Sequence, residues 1–170
     1  ESFVAAIEFI HQELEGLHFE DFLKVAPRSF ASPIGEIRIA DARNNSHEGG
    51  SGVIVDLGGD DEYQRVPTRA NEISLVIDVA GNDHYSGVDI SLGGLGLIID
   101  VAGDDRYFSP GAGLAATIGG LSWLHDRAGN DQYFATRFGL AAAVAGFGAL
   151  VDAEGNDEYH VKGYGQGFGG

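Results

Sequence analysis

One acidic octapeptide, Asp-x-x-Gly-[Asn/Asp]-Asp-x-Tyr, occurs five times in this 170-residue chain. The copies read DLGGDDEY (56–63), DVAGNDHY (78–85), DVAGDDRY (100–107), DRAGNDQY (126–133) and DAEGNDEY (152–159). Their leading aspartates stand 22, 22, 26 and 26 residues apart. Self-similarity with a period in the twenties specifies a solenoid, in which each repeat adds one coil to a stack. The period argues against a β-propeller, because a four-stranded blade takes about 40 residues. Stacking at the spacing of neighbouring strands, about 4.8 Å, would turn the repeated aspartates into ladders of negative charge. Such ladders need either water or cations.

A short apolar run precedes each motif: GVIV, SLVI, GLII, SWLH and GALV. Runs this short, bounded by Gly and Asp, fit strands buried on both sides better than helices. The motif then turns the chain, since Gly, Asn and Asp tolerate left-handed φ. After the Tyr, a variable segment returns to a second, Gly/Ala-rich strand, as in GLAATIGG (113–120) and GLAAAVAG (139–146). Small side chains there imply a thin, closely packed wall. The step from 22 to 26 residues is expected to be taken up in loops on one side of the stack.

The region before Gly52 differs. Phe3, Ile7, Ile10, Leu14 and Leu17 draw one apolar stripe along a helix, and residues 19–25 suggest a short second one before Pro27. A helical cap over residues 1–27, covering the open edge of the first coil, is the expectation. Residues 28–51 read as a transition: EIRIAD alternates like a strand, NNSHEGGSG follows as a loop, and together they suggest a degenerate first coil. Residues 52–170 carry the regular repeats.

Composition narrows the function. Against 26 Asp and Glu stand 10 Lys and Arg, a formal charge of −16. No basic patch exists to meet nucleic acid or an anionic membrane surface. No apolar run approaches the roughly 18 residues that span a bilayer. Cysteine is absent, which excludes disulfides and thiolate metal sites without fixing the compartment. Methionine is absent too, so Glu1 is not a translation start. The chain is expected to derive from something longer, and GYGQGFGG (163–170) resembles the Gly-rich run that precedes a further motif.

Each motif offers side-chain oxygens at three positions. The candidate metal ligands are Asp56, Asp60 and Asp61; Asp78, Asn82 and Asp83; Asp100, Asp104 and Asp105; Asp126, Asn130 and Asp131; and Asp152, Asn156 and Asp157. Ca²⁺ takes 6–8 oxygen ligands, so one turn falls short of a full shell and adjacent coils would have to share an ion. Uncompensated carboxylates a few ångströms apart would repel and raise one another's pKa. The oxygen donors favour hard cations. The half-motif Gly-[Asn/Asp]-Asp-x-Tyr, at 59–63, 81–85, 103–107, 129–133 and 155–159, resembles the second half of the nonapeptide of RTX calcium-binding β-rolls. The resemblance covers five residues per repeat. It implies Ca²⁺ held in the turn by Asp61, Asp83, Asp105, Asp131 and Asp157. The chain departs from that family in its period, in an Asp where the family has its first Gly, and in Tyr where Leu is usual.

The same residues also serve without metal. Asp and Asn in tight turns bond their own backbone, and repeat proteins stack identical Asn or Asp as ladders. Tyr63, Tyr85, Tyr107, Tyr133 and Tyr159 are expected to stack with their hydroxyls at the surface, Phe108 and Phe134 extending the stack in some coils. Catalysis has little support, because an active site breaks repeat symmetry and these carboxylates obey it. Trp123 and His125 are the clearest irregularity, and His125 reads as a coil-end residue facing solvent. His84 and His160 read as solvated. No nucleophile elbow, zinc-protease helix or phosphate loop is present.

The sequence therefore predicts a mainly β, parallel β-solenoid of about five to six coils with an N-terminal α-helical cap. The function it favours is a non-enzymatic, Ca²⁺-binding structural or adhesion module, extracellular or at the cell surface. Its partners would be Ca²⁺, a further copy added head to tail, or surface carbohydrate. The alternatives are a metal-free, filament-forming solenoid and a carbohydrate-active β-helix enzyme.

Overall fold

The computed structural model describes residues 27–163 and 165, apart from 66–67, 88–89 and 112. The helical cap expected over residues 1–27 lies, Pro27 excepted, outside the described residues. Among those described, no helix is long and apolar enough to cross a membrane.

The chain runs through β1 (Arg28–Ser32), β2 (Gly35–Ile39) and β3 (Ser46–Gly49), then β4 (Gly52–Asp56), β5 (Glu62–Arg65) and β6 (Thr68–Arg69). The next coil is β7 (Ile73–Asp78), β8 (His84–Ser86) and β9 (Ile90–Leu92). It is followed by β10 (Leu95–Asp100), β11 (Arg106–Ser109) and β12 (Ala116–Ile118), and by β13 (Leu121–Asp126), β14 (Gln132–Ala135) and β15 (Ala143–Val144). Finally, β16 (Phe147–Asp152) and β17 (Glu158–Val161) begin another.

These strands stack into three sheets, ordered β1-β2-β4-β7-β10-β13-β16, β3-β5-β8-β11-β14-β17 and β6-β9-β12-β15. All their pairings are parallel except β1 with β2, which is antiparallel and covers the first sheet's open edge. The fold is a three-sided parallel β-solenoid of about five turns. Each coil contains one strand more than the sequence suggested, because the motif's own Tyr lies within a strand. Its alternation was hidden by the turn residues just before it.

Register follows the repeat. Asp56, Asp78, Asp100, Asp126 and Asp152 pair in sequence across the first sheet. Tyr63, Tyr85, Tyr107, Tyr133 and Tyr159 pair across the second. Side chains alternate between the faces of each strand. In the first sheet this turns Ile54, Val76, Ile98 and Leu124 inward, where they form the core with the tyrosines, Leu114 and Leu140. The four extra residues of the longer coils fall between the second and third sheets. They supply Leu114 and Leu140, both buried and bridged to each other, so the longer coils enlarge the core as well as the loop.

The motif glycine is required by a close approach. A Cβ on Gly81, Gly103 or Gly129 would collide with the carbonyl oxygen of the equivalent glycine one coil earlier. None of these three has a left-handed φ, whereas Gly59 and Gly155, in the first and last of the five copies, have φ of 123° and 156°. In the first coil, beneath which no further coil lies among the described residues, Arg43 occupies the same position. Gly103→Ala is expected to destabilise by about 3 kcal/mol or more, since backbone rather than a side chain must yield. Gly165→Ala, with open space around it, should stay within about 0.5 kcal/mol of the parent. Urea midpoints of the two variants check this.

Candidate metal centre: a buried row of carboxylates

Alternation explains how acidic residues enter the interior. Each leading Asp follows an inward aliphatic residue by two positions, as Asp56 follows Ile54. Each second Asp precedes an inward Tyr by two, as Asp61 precedes Tyr63. Both carboxylates and the phenol therefore project into the corner between the first and second sheets. Asp56, Asp78, Asp100 and Asp126 are 0% exposed, and Asp61, Asp83, Asp105 and Asp131 are 1% exposed. Asp152 and Asp157, in the last coil, are half-buried.

Three ladders hold this corner. The tyrosine rings stack with centroids 4.5–4.9 Å apart. Tyr63, Tyr85, Tyr107 and Tyr133 are fully buried, their hydroxyls inside and not at the surface as expected, while Tyr159 is 40% exposed. Tyr85 donates to Asp100 Oδ2 (2.6 Å) and Tyr107 to Asp126 Oδ2 (2.8 Å), each reaching the next coil, and Tyr63 likewise donates to Asp78. In the last coil, Tyr159 donates to its own Asp152 (2.5 Å). The second aspartates form another ladder, accepting backbone N–H bonds from the coil before. Asp61 N–H donates to Asp83 Oδ1, Asp83 to Asp105, Asp105 to Asp131 and Asp131 to Asp157, at 2.7–3.0 Å. The middle residues build a third ladder, exposed and opposite in sense. The N–H groups of Asn82, Asp104, Asn130 and Asn156 donate to the side-chain oxygen one coil earlier, at 2.8–3.2 Å.

The structure thus divides the fifteen candidate ligands. Beside a group of His47, Asp56 and Asp61, it gathers the leading and second aspartates into overlapping triplets: Asp61–Asp78–Asp83, Asp83–Asp100–Asp105, Asp105–Asp126–Asp131 and Asp131–Asp152–Asp157. Within each, one ligand oxygen per residue lies within 4.8 Å of the others. Asp60, Asn82, Asp104, Asn130 and Asn156 stand outside these groups, on the exposed ladder. Six buried oxygens in the row have no hydrogen-bond partner: Oδ2 of Asp61, Asp83, Asp105 and Asp131, and Oδ1 of Asp100 and Asp126. The Arg-to-carboxylate ion pairs among the described residues, Arg38–Glu36 and Arg43–Asp41, lie elsewhere.

Burial is the largest influence on these groups, and neighbouring carboxylates add to it. Together they push Asp83 up to about 6, Asp61 and Asp131 to about 7, Asp105 to about 8 and Asp78 to about 10. Asp100, Asp126 and Asp152 move in the same direction. Backbone N–H bonds oppose the shift at the second aspartates without cancelling it. The corner can therefore keep its carboxyls protonated, or hold cations that replace the protons.

Sequence reasoning missed the first copy of the motif. β2 pairs with β4 and β3 with β5, which aligns residues 40–47 with 56–63. Asn44 accepts the Asp60 N–H (3.1 Å), and Asn45 N–H donates to Asp61 Oδ1 (2.5 Å). His47 takes the tyrosine position and stacks on Tyr63 at 4.9 Å. Its Nε2 lies 2.6 Å from Asp56 Oδ2, the contact that tyrosine makes elsewhere. The surviving signal was Asn-Asn-x-His, disguised by Ala40 in the leading position and a spacing of 16 residues. His125, expected at the surface, is only 8% exposed beside Trp123. His84 is half-buried, while His160 is exposed and stacks on Phe134 at 4.7 Å.

Compared with protein-family models, curated proteins and solved structures, the chain finds no match. The parallel solenoid is consistent with the repeat β-roll class, and membership of the RTX family is not shown.

The raised carboxyl pKa values fix a pH dependence for the metal-free protein. Between the ordinary aspartate value near 3.9 and the folded-state values of about 6 to 10, the unfolded chain loses protons that the folded chain keeps. Stability therefore falls as pH rises through this window, most steeply at its acid end. In EDTA, thermal melts should show a higher Tm at pH 5 than at pH 8. Tyr107→Phe removes the donor to buried Asp126 and should cost about 1–3 kcal/mol, measured by urea unfolding in EDTA.

Proposed function

We propose that this protein is a non-enzymatic β-solenoid stabilised by an internal row of Ca²⁺ ions, acting as a structural or adhesion module outside the cytoplasm. The observation that carries this reading is the set of six unpartnered carboxylate oxygens, buried and converging in triplets. Burying unpaired carboxylates is costly, and a cation between them offsets that cost. Each further coil adds two carboxylates to the row, a charge that one divalent ion neutralises.

Ca²⁺ suits these groups better than Mg²⁺. The ligand oxygens of each triplet all lie within 4.8 Å of one another, close enough for one cation to bridge them. Mg²⁺ demands shorter bonds and sheds water reluctantly, which opposes its entry into a buried row. Three aspartates supply up to six oxygens when bidentate. An extracellular setting agrees with weak sites filled by millimolar Ca²⁺. The repeat symmetry of the carboxylates supports a structural rather than a catalytic use. One observation favours a metal-free solenoid instead: the Asp-to-backbone ladder already satisfies Oδ1 of all five second aspartates, leaving protons to neutralise the rest.

Circular dichroism melts at pH 8 in EDTA, Ca²⁺ and Mg²⁺ separate the two. Ca²⁺ at one hundred times Kd contributes about 2.7 kcal/mol per site, equivalent to about 5–10 °C for a chain of this size. The expected result is a large Ca²⁺-specific rise in Tm, and identical melts in EDTA and Ca²⁺ would sink the proposal. Asp105→Asn gives a second check, because the amide oxygen keeps the Asp83 N–H bond while the charge is lost. This variant should be more stable than the parent in EDTA and less stable in saturating Ca²⁺.

A further inference from the structure

The outer face of the first sheet is apolar and shut off from solvent. Alternation turns Val55, Ile77, Ile99 and His125 outward, since Ile54, Asp56 and their equivalents turn inward. In this column Ile77, Ile99 and His125 are only 9%, 7% and 8% exposed. Outward residues in the middle of the other walls are far more open: Phe108 on the second sheet is 39% exposed and Ile118 on the third 47%. At the last coil the same column opens again, with Val151 at 39%. Beside the column Trp123 also faces outward, yet its indole N–H is buried and has no hydrogen-bond partner. Strand stacking alone does not account for the difference, because all three walls stack at the same spacing. Every described strand belongs to one of the three walls, so none lies over this face. Some other apolar segment covers it.

We propose that residues 1–26, which lie outside the described residues, are that cover: a helix lying lengthwise against the outer face of the first sheet. The point of entry selects this segment. Arg28 pairs with Ile39, Ile39 with Val55 and Val55 with Ile77, so the chain enters β1 in register with the hidden column. The stripe of Phe3, Ile7, Ile10, Leu14 and Leu17 supplies the apolar surface this face needs, while Glu8, Gln12 and Glu15 fall away from it. Length agrees as well. From Phe3 to Leu17 a helix rises about 21 Å, and the strand spacings from Val55 to Val151 add up to about 19 Å. β1 already pairs with the first sheet's open edge, so the stripe is not needed there and is left for the face. The proposal is independent of the Ca²⁺ row, which lies on the inner side of the same sheet.

Trp123 is the one tryptophan of the chain, so its fluorescence reads the cover directly. In the full chain its emission should be blue-shifted and poorly quenched by acrylamide. Ile7→Asn/Ile10→Asn should move the emission to the red and raise quenching several-fold, while the far-ultraviolet β-sheet signal persists. Glu8→Asn/Gln12→Asn makes the same replacement off the stripe, with a larger loss of helix propensity, and should leave Trp123 as in the wild type. Unchanged fluorescence in the stripe variant would overturn the proposal. So would a wild-type emission that turns red on dilution, which would mean that a second copy covers the face. Should the stripe variant not fold, a nitroxide on Ala6→Cys decides, because the wild type has no cysteine to compete for the label. It should quench Trp123, whereas the same label on Glu62→Cys, outward on the second sheet, should not. Equal emission from the two labelled proteins would overturn the proposal.

Discussion

Carboxylates in parallel register inside a protein are the constraint on which this molecule depends. A solenoid repeats every decision about side-chain direction, so one inward aspartate becomes a column of them. Burial in a low-dielectric corner penalises each charge, and neighbours one strand spacing away add repulsion. The chain meets the problem by giving every carboxylate a defined role. The second aspartates accept backbone N–H bonds from the coil before, and most leading aspartates accept tyrosine hydroxyls from that coil. What these bonds leave over is a single file of unpartnered oxygens, and it is this residue of the accounting that points to a cation.

The same bonds fix register. The second-aspartate ladder accepts from the preceding coil, whereas the exposed middle ladder accepts from the following one. Adjacent turns are thus tied in both senses through one motif. A slip of one residue would send Asp and Tyr outward together and bring glycine's neighbours against a carbonyl. The close glycine contacts and the inward acids therefore reinforce a single alignment.

Much of this was legible before any coordinates. The 22- and 26-residue spacings specify a solenoid, and the apolar runs before each motif correspond to the first sheet's strands. Direction was harder to read. Asp56 falls on the same alternation as Ile54, yet an acid at the end of an apolar run reads naturally as a solvated turn. Tyr63 shares its face with Asp61, but the strand containing it is only four residues long and begins inside the motif. The separation of Asp60 from Asp61, one to the surface and one to the interior, follows from the same period of two. The first coil was legible as a degenerate one, but its copy of the motif was not, because it lies in a hydrogen-bond pattern, with Asn44 and His47 standing where other coils have Asp or Asn and Tyr.

Repeat symmetry also shows where to look for specialisation. In the regular coils, residues at equivalent positions differ mainly on the outer faces, where Glu62, His84, Arg106, Gln132 and Glu158 follow one another along the second sheet. Inside, Asp, Asp and Tyr hold throughout, while the first coil substitutes Ala40, Asn45 and His47 together. Among the described residues no coil lies beneath the first one, so no preceding N–H groups or tyrosine share its charge. Retaining both acids there would leave two buried carboxylates with half their partners. Replacing both acids, by Ala40 and Asn45, removes that cost.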